Sequence, residues 1–240
     1  MANKKTAIVT GGSQGIGAAV VKAFLDRGHN VVANARHFSS ESFTPSSNLA
    51  LVEGDIALST TAEKIAQTAI EKFGSIDHLV SSAGIFSSKA FTDYTIDEFR
   101  AFVSTNLEGF IFITQLAVKQ MLAQGVGGSV TCITAALSAN PILSVPASIP
   151  TITKGGLDAI ILSLACEYAK SNIRFNAVAP GVVNTRLHDP SEKDFMKTLS
   201  PMGTISEAKD IADAVVYLTE ARHVTGEVLH VDGGAHAGRW

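Results

Sequence analysis

The sequence predicts a single α/β domain built on a doubly wound, mostly parallel sheet of about seven strands, with helices on both faces. Three observations predict it. Strand-like and helix-like segments alternate along all 240 residues, the order expected of βαβ units. The strand-like runs are nearly all apolar, as in sheets covered on both faces. A glycine-rich turn follows the first strand and opens the first helix, the arrangement that binds dinucleotides.

The elements follow in order. "TAIVT" (6–10) is a short β-branched run that ends in glycines. "GAAVVKAFLDRG" (17–28) has apolar residues at helical spacing and a stop at Gly28. "NVVANA" (30–35) and "LALVEGD" (49–55) are the next strands. Thr60 with Glu63 predicts a capped helix ending near Gly74, and Thr95 with Glu98 another running to about Gln124. "IDHLVSSAG" (76–84) and "GSVTCIT" (128–134) are strands. A helix spans 150–170, with Ser148 as its cap and Pro150 in its first turn, where N–H groups lack partners. "IRFNAVAPG" (173–181) is a strand, 206–220 a helix, and "EVLHVDGG" (227–234) the last strand. Two longer irregular segments, 134–149 and 181–205, follow strand C-termini, so they are expected to wall a ligand pocket.

Composition narrows the function. A formal net charge of -3 without any Lys/Arg run argues against nucleic-acid binding. The apolar run after the N-terminal lysines breaks at glycines, too short for a signal peptide or a membrane span. Cys132 and Cys166 lie far apart and are expected to be reduced, buried thiols of a cytoplasmic protein. The seven histidines show no ligand spacing, so no metal is expected.

In "TGGSQGIG" (10–17), Gly11 permits the tight turn, Gly15 close approach to a pyrophosphate, and Gly17 helix–strand packing. The helix N-terminus then offers free N–H groups to the phosphates. In "NVVANARHF" (30–38), Ala35 stands where an acid would hold the ribose 2′-hydroxyl of NAD. Arg36 follows, suited to pair with a 2′-phosphate, so NADP is expected over NAD.

From end to end these motifs resemble the short-chain dehydrogenase/reductase family, whose fold is the Rossmann fold. "TGGSQGIG" matches the family's TGxxxGxG, and "SSAG" (81–84) resembles its NNAG. Asp55 matches the adenine-contacting Asp, "STNLEG" (104–109) the segment of the active-site Asn, and "NAVAPGVVNT" (176–185) the Pro-Gly motif with its nicotinamide-contacting Val and Thr. The resemblance implies nucleotide contacts at Gly11, Ser13, Gln14, Gly15, Ile16, Gly17, Arg36, Asp55, Ile56, Ala83, Gly84, Lys154, Pro180, Gly181, Val183 and Thr185. It also implies catalytic roles for Asn106 and Lys154, a small-molecule carbonyl or alcohol substrate, and a homo-tetramer or homo-dimer.

Two family residues are missing. Pro150 replaces the Tyr that lies four residues before Lys154 and acts as general acid. Proline has no side-chain or backbone proton to give. The orienting Ser is replaced by Ala135, counting forward from the strand, or by Leu137, counting back from Pro150. Thr134 and Ser138 flank those positions and could partly substitute for the Ser, while Thr151, Thr153, Lys154 and His188 are the candidate replacement donors. The sequence therefore supports an NADP-dependent oxidoreductase with an atypical site, or a non-catalytic nicotinamide-nucleotide-binding protein acting as sensor or partner subunit.

Overall fold

The computed structural model describes residues 4–39, 42–185, 191 and 193–238. Its main sheet contains seven strands, all parallel. They are β1 (Thr6–Thr10), β2 (Asn30–Ala35), β3 (Leu49–Glu53), β4 (His78–Ser81), β5 (Gly128–Ile133), β6 (Ile173–Pro180) and, last in the chain, β9 (Val228–Val231). The order is β3-β2-β1-β4-β5-β6-β9, reversing between β1 and β4. That reversal opens a crevice at the carboxyl ends of those two strands. A two-stranded ribbon of β7 (Val183–Asn184) and β8 (Ser206–Glu207) lies apart from the sheet.

The helices divide between the two faces. On one face α1 (Gly15–Asp26) and α7 (Ala208–Glu220) share a core of Val20, Val21, Phe24, Ile211 and Val215 with the sheet. On the other, α2 (Ser59–Phe73), α4 (Gly109–Gln124) and α5 (Ser148–Tyr168) bury Ile65, Ile113, Leu157 and Ile161. Arg174, on β6, fastens the end of α7 to the sheet by donating to the carbonyls of Leu218, Thr219, Ala221 and Val224. Those of Leu218, Thr219 and Ala221 are carbonyls at the end of α7 that lack helical partners, and that of Val224 lies in the loop beyond it.

Several boundaries differ from the sequence reading, each for a local reason. The capping box expected at Thr95 and Glu98 is present and opens α3 (Ile96–Phe102). The box expected at Thr60 and Glu63 is not. Helix α2 begins at Ser59, with Leu58, two residues before Thr60, as its cap and no side-chain capping bond. Ser148 is likewise the first helical residue of α5 rather than its cap, which is Ala147. Between α3 and α4 the chain makes a π-helical turn, Val103–Glu108, where a continuous α-helix was expected. The segment 181–205 also contains the short helix α6 (Lys193–Lys197). Cys132 is buried as expected, and burial pushes its thiol up to about 12. Cys166 is exposed, contrary to expectation, because it faces outward from α5.

At the opposite end of the sheet, His78 is buried, stacks on Phe24 and places Nδ1 2.9 Å from Ser129 Oγ. Burial, reinforced by Lys5, His29 and Arg174, depresses its pKa to about 3. An imidazole with a depressed folded pKa stabilises fully above its unfolded pKa of 6.5. That stability is lost as pH falls from there toward the folded value. Urea denaturation at pH 7 and pH 5 should show this group alone costing about 2 kcal/mol at the lower pH. His78→Leu should flatten that part of the pH dependence.

Candidate functional site

The glycine loop meets the end of β4 at the sheet's reversal point. Thr10 Oγ1 accepts from the backbone N–H groups of Ser82 and Ala83, both at 3.2 Å, and ties the two strand ends together. A Cβ on Gly11 would lie 2.8 Å from the Ala83 backbone, and one on Gly17 would lie 2.1 Å from the Gly11 carbonyl oxygen. Gly11 also has φ +70° and Gly15 φ +54°, conformations that residues with side chains rarely adopt. A side chain at Gly15 would project toward Thr185, with its Cβ 3.2 Å from the Thr185 methyl. The N-terminus of α1 has no side-chain cap and no acidic residue in its first turn. Its N–H groups thus suit an anion.

A cleft of about 250 Å³ runs along this loop. It is lined by Gly11, Ser13, Gln14, Gly15, Ile16 and Gly17, then by Arg36, Asp55 and Ile56, and on its far wall by Ala83, Gly84 and Thr185. Ala35 and Thr105 complete it. Beside Arg36, the Glu53 carboxylate accepts from the Phe38 N–H at 2.8 Å. Asn34, inside the cleft wall, donates to the carbonyls of Val52 and Gly54 and joins β2 to the turn after β3. Thr10 and Asn34 were not singled out from the sequence. Their place at strand ends beside the glycine loop was the available signal.

A second cavity, about 540 Å³, continues from the first and shares Ile16, Ser82, Gly84, Ile85 and Thr185 with it. Lys154, Pro180, Gly181 and Val183 line it as expected. Lys154 is half-buried, and its ammonium donates to the Ile133 carbonyl at 2.8 Å. Burial lowers its pKa, opposed by the Cys132 sulfur and the Asp158 carboxylate. Asn106 sits in the π turn. Its Oδ1 accepts from the Ile85 N–H at 2.9 Å, and its Nδ2 donates to Thr153 Oγ1 at 3.0 Å. A Cβ on Gly84 would sit 3.2 Å from both Asn106 Oδ1 and Lys154 Nζ. The fold therefore brings the nucleotide-contact residues expected from the sequence, Lys154 among them, to one continuous crevice, while Asn106 is buried behind its wall and lines neither cavity.

Pro150 occupies the third position of α5, and the first helical bond is made one residue later, from the Thr151 N–H to the Ala147 carbonyl. The proline therefore removes no hydrogen bond. It is buried and does not line the cavity. Its carbonyl accepts from the Thr153 hydroxyl at 3.0 Å, which in turn accepts from Asn106. Thr153 is fully buried in this chain of bonds.

Ala135 and Leu137 both line the cavity, so neither count for the missing serine yields a hydroxyl there. Thr134 does line it, but its hydroxyl points to the Val178 carbonyl at 3.4 Å. Ser138 lies outside the cavity, with Oγ 2.7 Å from both the Ala135 carbonyl and the Asp158 carboxylate. The three tyrosines do not line it either. Tyr94 is the nearest and donates its hydroxyl to the carbonyl of Ser87, a lining residue. His188 lies outside the described residues.

The proline-rich wall is held in place from across the cavity. The Pro146 carbonyl accepts from both the Lys89 N–H and the Ser88 hydroxyl. The segment 140–145 thereby lies over the cavity, to which it contributes Asn140, Ile142, Ser144 and Val145.

Residues 11–236 match the family profile described as enoyl-(acyl carrier protein) reductase. The chain is 34% identical to an L-rhamnose-1-dehydrogenase from Scheffersomyces stipitis, over 97% of this chain and 96% of that one. It is 32% identical to an L-rhamnose 1-dehydrogenase (NAD(P)(+)) from Sphingomonas sp., over the same shares of each. Among solved structures, ElxO with NADP bound superposes with a TM-score of 0.91 at 26% identity, covering 98% of this chain and all of that one.

Proposed function

The chain belongs to the short-chain dehydrogenase/reductase family, and on that premise we propose that it is an NADP-binding oxidoreductase whose active site works without the tyrosine acid. One observation carries the cofactor choice. The end of β2 offers Arg36 to the cleft beside Ser13, with Ala35 in place of a carboxylate. The nearby Glu53 carboxylate is engaged by the Phe38 N–H. A guanidinium at the strand end where a carboxylate would otherwise stand favours a 2′-phosphate over a bare 2′-hydroxyl.

When bound, a reduced nicotinamide supplies a hydride. The chain's own residues do the rest. The α1 N-terminus and Gly11–Gly17 hold the pyrophosphate, and Lys154 with Thr185 and Val183 holds the nicotinamide end. Lys154 is the residue of the cavity wall able to give a proton at its Nζ, and Asn106 braces the wall behind it through Ile85 and Thr153.

Arg36→Ala should weaken NADPH binding roughly 10–100-fold, the value of a charge-assisted bond of about 1.5–3 kcal/mol. NADH binding should change little. Fluorescence titration of both nucleotides checks this; equal affinity of the native protein for the two would overturn the NADP assignment.

The second reading is a nucleotide-binding protein without turnover. It is favoured by the absence of a Tyr or carboxyl donor among the described lining residues, where the hydroxyls are those of Ser82, Ser87, Ser88, Thr134, Ser144 and Thr185. Turnover assays with ketones and NADPH separate the two readings. We also propose a homo-oligomer formed through the long helices. Ile111 and Leu122 on α4, and Ile152 and Leu162 on α5, are exposed apolar side chains that support it. Light scattering should give the mass of two or four chains.

A further inference from the structure

The lining of the larger cavity is chemically one-sided. Ile85, Phe86, Leu137, Ile142, Val145 and Phe195 form its body. Met196 and Leu199 extend this surface toward α6. Among the described lining residues there is no carboxylate, imidazole, guanidinium or side-chain glutamine, and the one charged group is the Lys154 ammonium.

Several of the polar side chains in the wall are already engaged. The Ser88 hydroxyl is given to the Pro146 carbonyl at 3.0 Å, and the Asn140 amide faces the Ala136 carbonyl at 3.5 Å. The Thr134 hydroxyl faces the Val178 carbonyl. Ser82 lies at the border with the nucleotide cleft. Ser87 and Ser144 are left on the wall.

A sugar brings a hydroxyl on nearly every carbon, and each one taken from water without a partner costs about 1–3 kcal/mol. A site for a sugar therefore presents many fixed donors and acceptors. Among the described residues this wall presents a mostly apolar surface, a few hydroxyls and one ammonium, that of Lys154. It suits a molecule with one polar atom on a hydrocarbon body.

Building on the proposed NADP-dependent reading, we infer that this cavity takes an apolar carbonyl compound, with its oxygen toward Lys154 Nζ and its hydrocarbon body against Leu137, Val145 and Phe195. A free sugar, the substrate named for the rhamnose dehydrogenases that this chain resembles, is disfavoured by the same described wall. The proline at position 150 fits this assignment. The buried proline stays out of the cavity wall, and Lys154 lines it.

The test compares two probes on the full chain, cyclooctanone and L-rhamnose, by isothermal titration calorimetry. Each is titrated with and without saturating NADP, the oxidised form, which cannot reduce the ketone. Cyclooctanone should bind at least tenfold more tightly than L-rhamnose in both conditions. Phe195→Asp, at a half-exposed position on the cavity rim, should weaken cyclooctanone at least tenfold and leave NADPH affinity unchanged. Comparable or tighter binding of L-rhamnose would overturn the inference, as would failure of cyclooctanone to bind. Loss of nucleotide binding with cyclooctanone still bound would instead overturn the NADP reading and leave the cavity assignment standing.

Discussion

Pro150→Tyr combined with Ala135→Ser should raise kcat/KM for NADPH-dependent reduction of cyclooctanone by about 10²–10⁴-fold over the native protein, the usual worth of a positioned general acid. The native backbone is ready for the change. The helix begins before position 150, and the proline's carbonyl bond to Thr153 is made by the backbone and survives substitution. A tyrosine there lies one helical turn before Lys154, whose ammonium would lower the phenol from its ordinary value near 10. Ala135 already lines the cavity, so a serine at that position adds a hydroxyl where the carbonyl oxygen would lie. Each single substitution should gain far less than the pair, because the acid and the orienting group act on the same oxygen. Steady-state kinetics on the four proteins of the cycle read this directly. A native protein that already reduces ketones at ordinary family rates would show that another group has taken over the tyrosine's role.

Gly17→Ala should lower the stability of the chain by about 3 kcal/mol, at the upper end of over-packing costs. It should also weaken NADPH binding at least tenfold. The added carbon would lie 2.1 Å from the Gly11 carbonyl oxygen and 2.7 Å from the carbonyl carbon. Both are backbone atoms, so the loop itself must move. That movement displaces α1 from β1 and misplaces the N–H groups that receive the pyrophosphate. Gly28→Ala is the matching control. Gly28 has φ +79° with nothing within 4 Å of the added carbon. It should cost only about 1–2 kcal/mol of left-handed strain and leave nucleotide affinity alone. Thermal melts and NADPH titrations of both variants separate a general glycine effect from this particular close approach.

Much of the architecture was readable because local and global signals agree here. The strand runs are apolar on both faces, and glycines at 11, 28, 74 and 125 stop elements with positive φ. The nucleotide cleft was readable for the same reason, since its contacts come from a continuous loop and from strand ends. Contacts made across the chain were not readable. The bond from Lys154 to the Ile133 carbonyl and the clasp between Ser138 and Asp158 each depend on how α5 lies against β5. No local pattern encodes that placement. The side-chain caps expected at Thr60 and Ser148 failed because a shift of two residues at the first helix start and one at the second places the expected cap inside the first turn. Exposure of Cys166 was hidden by the composition of α5, which is apolar nearly all round, so that its outward face resembles its inward one.

The π turn at Val103–Glu108 sets a constraint on how this chain can vary. One extra residue sits in an otherwise α-helical stretch from Ile96 to Gln124. Deleting a residue there would improve helical hydrogen bonding and by itself favour folding. The same deletion would rotate everything on one side of it by roughly 100° relative to the other. Asn106 would swing away from Ile85 and Thr153, or the apolar faces of α3 and α4 would leave their cores. A shorter, more regular helix would thus be the more stable segment and the poorer scaffold. In lineages of this chain, length changes should be far rarer in these six residues than substitutions.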